Sequence, residues 1–265
     1  MRMTTNHPTA AILIIGNEIL SGRTQDTNVK FIAERLDKVG IRLCEVRVIA
    51  DNEKAIVETV NALRAKYTYI FTTGGIGATH DDITAECLAK AFNVPLEVNE
   101  ETFTILQNHY KESFNASRQR MALMPRGSEL LKNQICTATG FKIENVYCLA
   151  GMPTVMQNSF TLLLPNLKTG TPFVSNTVTC NLREGDIAHA LTDIQNTHLS
   201  VEIGSYPFYR TPPNIGTSFV MHGADPIAVT DATNAVVRMV EQFGGTYTVD
   251  WFEGKDESSE EDDVL

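Results

Sequence analysis

Two adjacent carboxylates, Asp81 and Asp82, follow a glycine-rich turn in the stretch Thr72-Thr73-Gly74-Gly75-Ile76-Gly77-Ala78-Thr79-His80-Asp81-Asp82-Ile83-Thr84. Gly74, Gly75 and Gly77 allow positive φ and let backbone N–H groups approach a ligand with no Cβ in the way. Acids beside such a turn suit a divalent metal or proton transfer next to a phosphate. Gly-Gly-x-Gly alone is a weak signal, because a tight αβ turn with Asp81 or Asp82 as N-cap would use the same residues. Three further groups carry chemistry. Gly16-Asn17-Glu18-Ile19-Leu20-Ser21-Gly22 offers an amide, a carboxylate and a hydroxyl between two turn glycines. Asp51-Asn52 and Ala150-Gly151-Met152-Pro153-Thr154 are the others. Each has a plainer use: Asp51 can cap a helix, Glu18 can be a solvated turn acid, and Gly151-Met152-Pro153 can simply end a strand. His80 reads as a loop donor, since no second histidine stands at metal-ligand spacing.

These groups need a scaffold that gathers them at one edge. Apolar runs predict strands over Ala10 to Ile15, Ile41 to Ile49, Thr68 to Thr73 and Val146 to Ala150, with a weak one near Leu130. Between them, 3.6-residue patterns predict helices from Asp26-Thr27-Asn28 to Val39, Asn52 to Ala65, Asp82 to Phe92, Glu100 to Phe114 and Thr154 to Leu164. Alternating strands and helices imply parallel crossovers and an α/β class, a three-layer α/β/α sandwich. Ligands then collect beyond the carboxyl ends of the strands, where all four groups fall. From Val174 the order becomes β-α-β-β-α-β, a small α+β ferredoxin-like arrangement. The expected domains are 1–171, 172–252 and an acidic tail, 253–265.

Composition excludes several classes. The chain of 265 residues is 43% hydrophobic and 20% charged, as a soluble globular protein is. The formal charge is −10, but seven acids against Lys255 in Glu253 to Leu265 supply −6 of it, leaving the body near −4. That tail reads as disordered. No basic cluster marks a nucleic-acid surface, and the run Ala10 to Ile15 is too short for a signal sequence or membrane span. Five scattered cysteines, none in Cys-x-x-Cys spacing, fit buried thiols in a reducing compartment, so a cytoplasmic protein is expected.

Ile15-Gly-Asn-Glu-Ile-Leu-Ser-Gly22, Asp26-Thr-Asn28, Thr72-Thr-Gly-Gly-Ile-Gly77 with Asp81-Asp-Ile-Thr84, and Leu149-Ala-Gly-Met-Pro153 resemble the molybdopterin-binding (MoaB/Mog-like) domain. More closely, they resemble the N-terminal part of the CinA, competence/damage-inducible, proteins. The resemblance spans about residues 10 to 165 by strong motifs and Glu184 to Val240 more weakly. It implies a Mog-type sandwich that binds molybdopterin or a nucleotide diphosphate. Relatives adenylylate molybdopterin with Mg-ATP or hydrolyse ADP-ribose using a divalent metal, Mg or Co, with K⁺. Carried over by motif, Asp51 and Asp82 are the catalytic carboxylates, and Asp81 with Asp82 the metal ligands. Gly16, Asn17, Glu18, Ser21, Asn28, Thr73, Gly74, Gly75, Gly77, Gly151, Met152, Pro153 and Thr154 are the ligand-binding set. Dimeric and trimeric relatives imply a homo-oligomer.

Two departures bear on turnover. The family's Gly-Val-Pro-Ser-Glu-Met is Gly151-Met-Pro-Thr-Val-Met156 here, so Val155 replaces an acid, and the usual Pro-Gly-Phe is Thr139-Gly140-Phe141. The amidohydrolase domain of full-length CinA is not expected. Three functions follow: a phosphoanhydride hydrolase, a non-catalytic molybdopterin or nucleotide binder linked to molybdenum cofactor biosynthesis, or an assembly protein with a vestigial pocket. The partner expected is a phosphorylated pterin or nucleotide, with no nucleic acid or membrane.

Overall fold

The structure, a computed structural model, describes residues 7–137, 140–209 and 215–252. Thr139, the connection 210–214 and the acidic tail 253–265 lie outside the described residues. The described residues form two compact units, 7–170 and 171–252.

The first unit runs β1 (Thr9–Ile15), α1 (Asn17–Leu20), α2 (Asn28–Lys38), β2 (Arg42–Ile49), α3 (Glu53–Arg64), β3 (Tyr69–Thr73) and α4 (Thr84–Ala91). It continues with β4 (Leu96–Val98), α5 (Glu100–Tyr110), α6 (Ala116–Gln119), β5 (Leu123–Pro125), β6 (Glu129–Leu130), β7 (Phe141–Ile143), β8 (Val146–Leu149) and α7 (Pro153–Leu163). Six strands pair in the order β2-β1-β3-β8-β7-β6. β1 is buried along almost its whole length because it packs helices on both faces. Ala11, Leu13 and Ile15 meet α3 and α4 through Ile56, Val60, Leu63 and Leu88. Ala10, Ile12 and Ile14 meet α2 and α7 through Ile32, Leu36, Met156 and Phe160.

The sheet, expected from parallel crossovers, is mixed. β2, β1, β3 and β8 are parallel, whereas β7 runs antiparallel to β8 and β6 antiparallel to β7. Ile143 pairs with Val146 across only Glu144-Asn145, and Glu144 turns at φ 48. So short a link closes a hairpin and has no room for a crossover helix. A separate antiparallel pair, β4 with β5, also escapes the periodicity reading because each strand has three residues. The helix expected from Glu100 to Phe114 stops at Tyr110, and a 3₁₀ turn over Lys111–Ser113 precedes α6.

One topological feature positions the site. After β1 the chain leaves to α2 on one face, and after the neighbouring β3 it leaves to α4 on the other. Adjacent strands that send their helices apart leave a crevice at their carboxyl ends.

The second unit runs β9 (Val174–Cys180), α8 (Glu184–Thr197), β10 (Glu202–Tyr209), β11 (Ile215–Gly223), α9 (Pro226–Gln242) and β12 (Tyr247–Asp250). Its antiparallel sheet has the order β10-β11-β9-β12. Val174, Asn176, Val178 and Cys180 alternate inward, as a sheet with one covered face requires. Ile187 of α8 and Val229, Val236 and Met239 of α9 complete that core. Asp225 caps α9 by accepting from the Ile227 and Ala228 amides. No described helix is long and apolar enough to cross a membrane.

Candidate active site

The glycine loop is held from three sides. Gly74 N–H donates to Leu149 O of β8, while Thr84 at the start of α4 donates its hydroxyl to Gly74 O and its amide to Gly75 O. Gly74 sits at φ +100 and Gly75 at φ +67. A Cβ on Gly74 would lie 2.1 Å from Ile15 O, and one on Gly75 2.2 Å from Thr84 Oγ1. Only glycine fits either place. Among the described residues, the N–H groups of Gly75, Ile76 and Gly77 donate to no protein acceptor. Three free amides in a row, next to the start of α4, are a ready anion cradle.

The acids are arranged differently from a simple cap. The N-cap position of α4 is Ile83, so neither Asp81 nor Asp82 caps that helix. Asp82 Oδ2 instead accepts from Thr79 N at 2.8 Å and Thr79 Oγ1 at 2.5 Å, closing the loop on itself. The Thr79 side chain, with the Asp81 backbone amide, holds the exposed Asp81 carboxyl below the usual carboxylate range. Asp81 is therefore anionic near neutral pH. His80 is solvent-exposed, its ring 4.0 Å from Asp81.

Asp51 does not cap α3; Asn52 does, its side chain accepting from Ala55 N. Asp51 Oδ2 accepts from Asn17 N at 2.9 Å and so ties the turn after β1 to the end of β2. Ser21 donates its hydroxyl to Glu18 O. Glu18 folds back over Gly16, where a Cβ would meet its carboxylate at 2.4 Å. Among the described residues that carboxylate has no hydrogen-bond partner.

Glu18, Asp51, Gly74, Gly75, Gly77, Asp81, Asp82, Gly151 and Met152 line one open cavity of about 390 Å³. That volume suits a small molecule. Asn28, Thr73, Pro153 and, again, Glu18, Gly74 and Gly151 line an adjoining recess of about 60 Å³. Gly16, Asn17, Ser21 and Thr154 are outside both linings. Val155 is buried in α7 and forms part of the main wall.

Several contributors had no role assigned to them by the sequence. Thr79 and Thr84 hold the loop, and Ile76 and Cys136 line the main cavity. The Cys136 segment is set by Asn133, which accepts from the Ile135 and Cys136 amides and donates to Val155 O and Ser159 Oγ. Such long-range ties join residues far apart in the chain, so no local motif reports them. Among the described residues no three His, Cys, Asp or Glu side chains converge to hold a metal unaided.

Residues 11–169 match the family model described as "Probable molybdopterin binding domain". The chain belongs to the molybdopterin-binding domain family. Its residues 172–246 match the model "FAD synthase, middle domain". The chain is 32% identical over 241 residues to a probable FAD synthase of Caenorhabditis elegans, covering 79% of this chain and 46% of that one. It is 35% identical over 156 residues to a CinA-like protein of Flavobacterium psychrophilum, covering 56% of this chain and 37% of the relative. It thus spans less than half of either relative. The crystal structure of the protein CinA, of unknown function, from Thermoplasma acidophilum superposes with TM-score 0.58 at 27% identity, over 61% of this chain and 98% of that one. The molybdopterin-binding domain here is therefore CinA-like.

Proposed function

We propose that the molybdopterin-binding domain holds a phosphorylated small molecule, a nucleoside diphosphate conjugate or molybdopterin, and hydrolyses a phosphoanhydride in it. The observation that carries this reading is the run of unpaired amides at Gly75, Ile76 and Gly77 on the wall of a cavity that also presents four carboxylates. The amides take the anion, and the start of α4 adds the favourable end of its dipole. The carboxylates would repel a phosphate unless a cation intervenes.

The donor set fits a hard divalent ion. Magnesium is commonly held by one or two carboxylates together with substrate phosphates, which suits Asp81 and Asp82 and the lack of a three-ligand protein cage among the described residues. When bound, such an ion neutralises charge building on the phosphoryl oxygens. Thr79 fixes the orientation of Asp82 through its amide and hydroxyl. Glu18, with its carboxylate unengaged, accepts a proton from the attacking water, and Asp51 acts through Asn17 by fixing the turn that carries Glu18. The relatives named FAD synthase support a nucleotide-containing substrate.

The test is chromatographic detection of AMP released from ADP-ribose, FAD or ATP in Mg²⁺ or Co²⁺ with K⁺. Asp82→Asn is the control, since its amide oxygen still accepts both Thr79 bonds and spares the fold. AMP formation that drops by at least about 100-fold in the variant is the expected result. Undiminished turnover in Asp82→Asn would remove Asp82 from the chemistry. One observation favours a second reading, binding without turnover: the buried Val155 stands in the cavity wall where the family carries an acid. Stoichiometric retention of a fluorescent pterin with no product formed would support that version.

A further inference from the structure

Asn133 lies between β6 and β7 and spends its whole side-chain amide on two separate elements. Its Oδ1 accepts from the Ile135 and Cys136 amides, each at 2.8 Å. Its Nδ2 donates to Val155 O at 2.9 Å and to Ser159 Oγ at 2.8 Å. An asparagine side chain has two N–H donors and two acceptor positions, and all four are filled here. Backbone amides only donate and Val155 O only accepts, so the orientation of the Asn133 amide follows from its partners. One end of this side chain therefore holds the 133–136 turn, and the other holds the first half of α7. Gln134 N adds a second tie to α7 by donating to Asn158 Oδ1 at 2.8 Å. The residues gripped at the two ends, Cys136 and Val155, both line the main cavity. With its amide spent on Asn133, Cys136 does not offer a phosphate the open N–H that Gly75, Ile76 and Gly77 do.

We infer that Asn133 is a positioning residue: by joining the Cys136 segment to α7 it sets the wall against which the uncharged part of the ligand rests while the phosphate lies on the glycine loop. The inference rests on the phosphate-binding reading and adds to it a determinant of which phosphorylated molecules are retained. Without the tie, the Cys136 segment is free to leave α7, and binding must first restore its place. A nucleotide that reaches this wall should then bind about tenfold more weakly, whereas an anion that fills only the glycine loop should not notice.

Calorimetry with ADP and with pyrophosphate, both in Mg²⁺, tests this on wild type, Asn133→Ser and Asn133→Asp without any turnover. Both substitutions keep an acceptor for the neighbouring amides. Neither renews the tie to α7, since serine is too short to reach it and a carboxylate has no donor. Aspartate adds a charge and serine does not, so an effect common to both reports the tie. The expected result is ADP affinity about tenfold lower in both variants, with pyrophosphate affinity within about twofold of wild type in Asn133→Ser. Peptide-resolved thiol labelling of Cys136 gives a second readout. ADP should slow it in wild type and pyrophosphate should not, and the protection by ADP should vanish in Asn133→Ser. A folded Asn133→Ser that binds ADP as wild type does, or that loses ADP and pyrophosphate alike, would overturn the inference alone. So would wild type that binds ADP with Cys136 unprotected, a result that needs no variant to fold. Failure of both ADP and pyrophosphate to bind wild type would overturn the phosphate reading and the inference together.

Discussion

Gly74→Ala should cripple the site by steric pressure at a single atom, and the structure supplies its own control. Gly74 and Gly22 both have positive φ, +100 and +71, but a Cβ at Gly74 would lie 2.1 Å from Ile15 O while one at Gly22 meets nothing within 4 Å. A left-handed alanine costs about 1–2 kcal/mol, from which about 0.4–1 kcal/mol is recovered through the stiffer unfolded chain. Gly22→Ala should therefore lose about 1 kcal/mol. Gly74→Ala carries the same strain plus overpacking between the ends of two buried strands, about 1–3 kcal/mol more. Its total is about 2–4 kcal/mol. For a unit of this size each kcal/mol moves Tm by about 2–4 °C, so calorimetry should show a fall of about 5–15 °C for Gly74→Ala and about 2–4 °C for Gly22→Ala. Melting points within about 2 °C of each other would mean that the Ile15 carbonyl yields freely and the glycine loop is not pinned to β1.

Further consequences follow from the same contacts. Asn52→Ala removes the cap of α3 and should cost about 1 kcal/mol by urea unfolding, whereas Asp51→Ala should leave α3 intact and weaken phosphate binding through the Asn17 turn. Glu45 is held down to about 2 by the Tyr67 hydroxyl, Arg47 and Lys66. Its folded value lies below the unfolded one, so its contribution is complete above about pH 5 and disappears as pH falls toward 2. Glu45→Gln should flatten the acid limb of stability over that window, and an unchanged limb would contradict the assignment. Burial pushes the Cys148 thiol up to about 12 and the Cys87 thiol up to about 11. At pH 8 a thiol reagent should label the exposed Cys44 first, with Cys87 and Cys148 reacting only after unfolding.

Periodicity found most of the scaffold because β1, α2, α3, β3 and α4 each carry an uninterrupted apolar pattern of the right period. The strands it missed or misdirected are short. β7 and β8 turn on Glu144-Asn145, a pair with no glycine, so nothing local announced a hairpin. In the site, the glycine spacing marked the loop after β3, but the contacts of the acids depended on partners across the chain. Asp51 lies two residues before α3 and reads as its cap, yet its acceptor faces Asn17, 34 residues away. Asp82 reads as a cap and instead closes its own loop through Thr79. The Asn28 contact is a three-dimensional fact: sequence gives an amide, and only the fold shows that Nδ2 donates to Gly151 O while Oδ1 has no partner among the described residues.

The most direct measurement of the central claim is an amide-resolved NMR titration of isotope-labelled protein with ADP in Mg²⁺. The N–H signals of Gly75, Ile76 and Gly77 should move downfield and saturate together, as charge-assisted donors to a phosphate do. Saturable ADP binding that leaves those three signals in place would contradict the account.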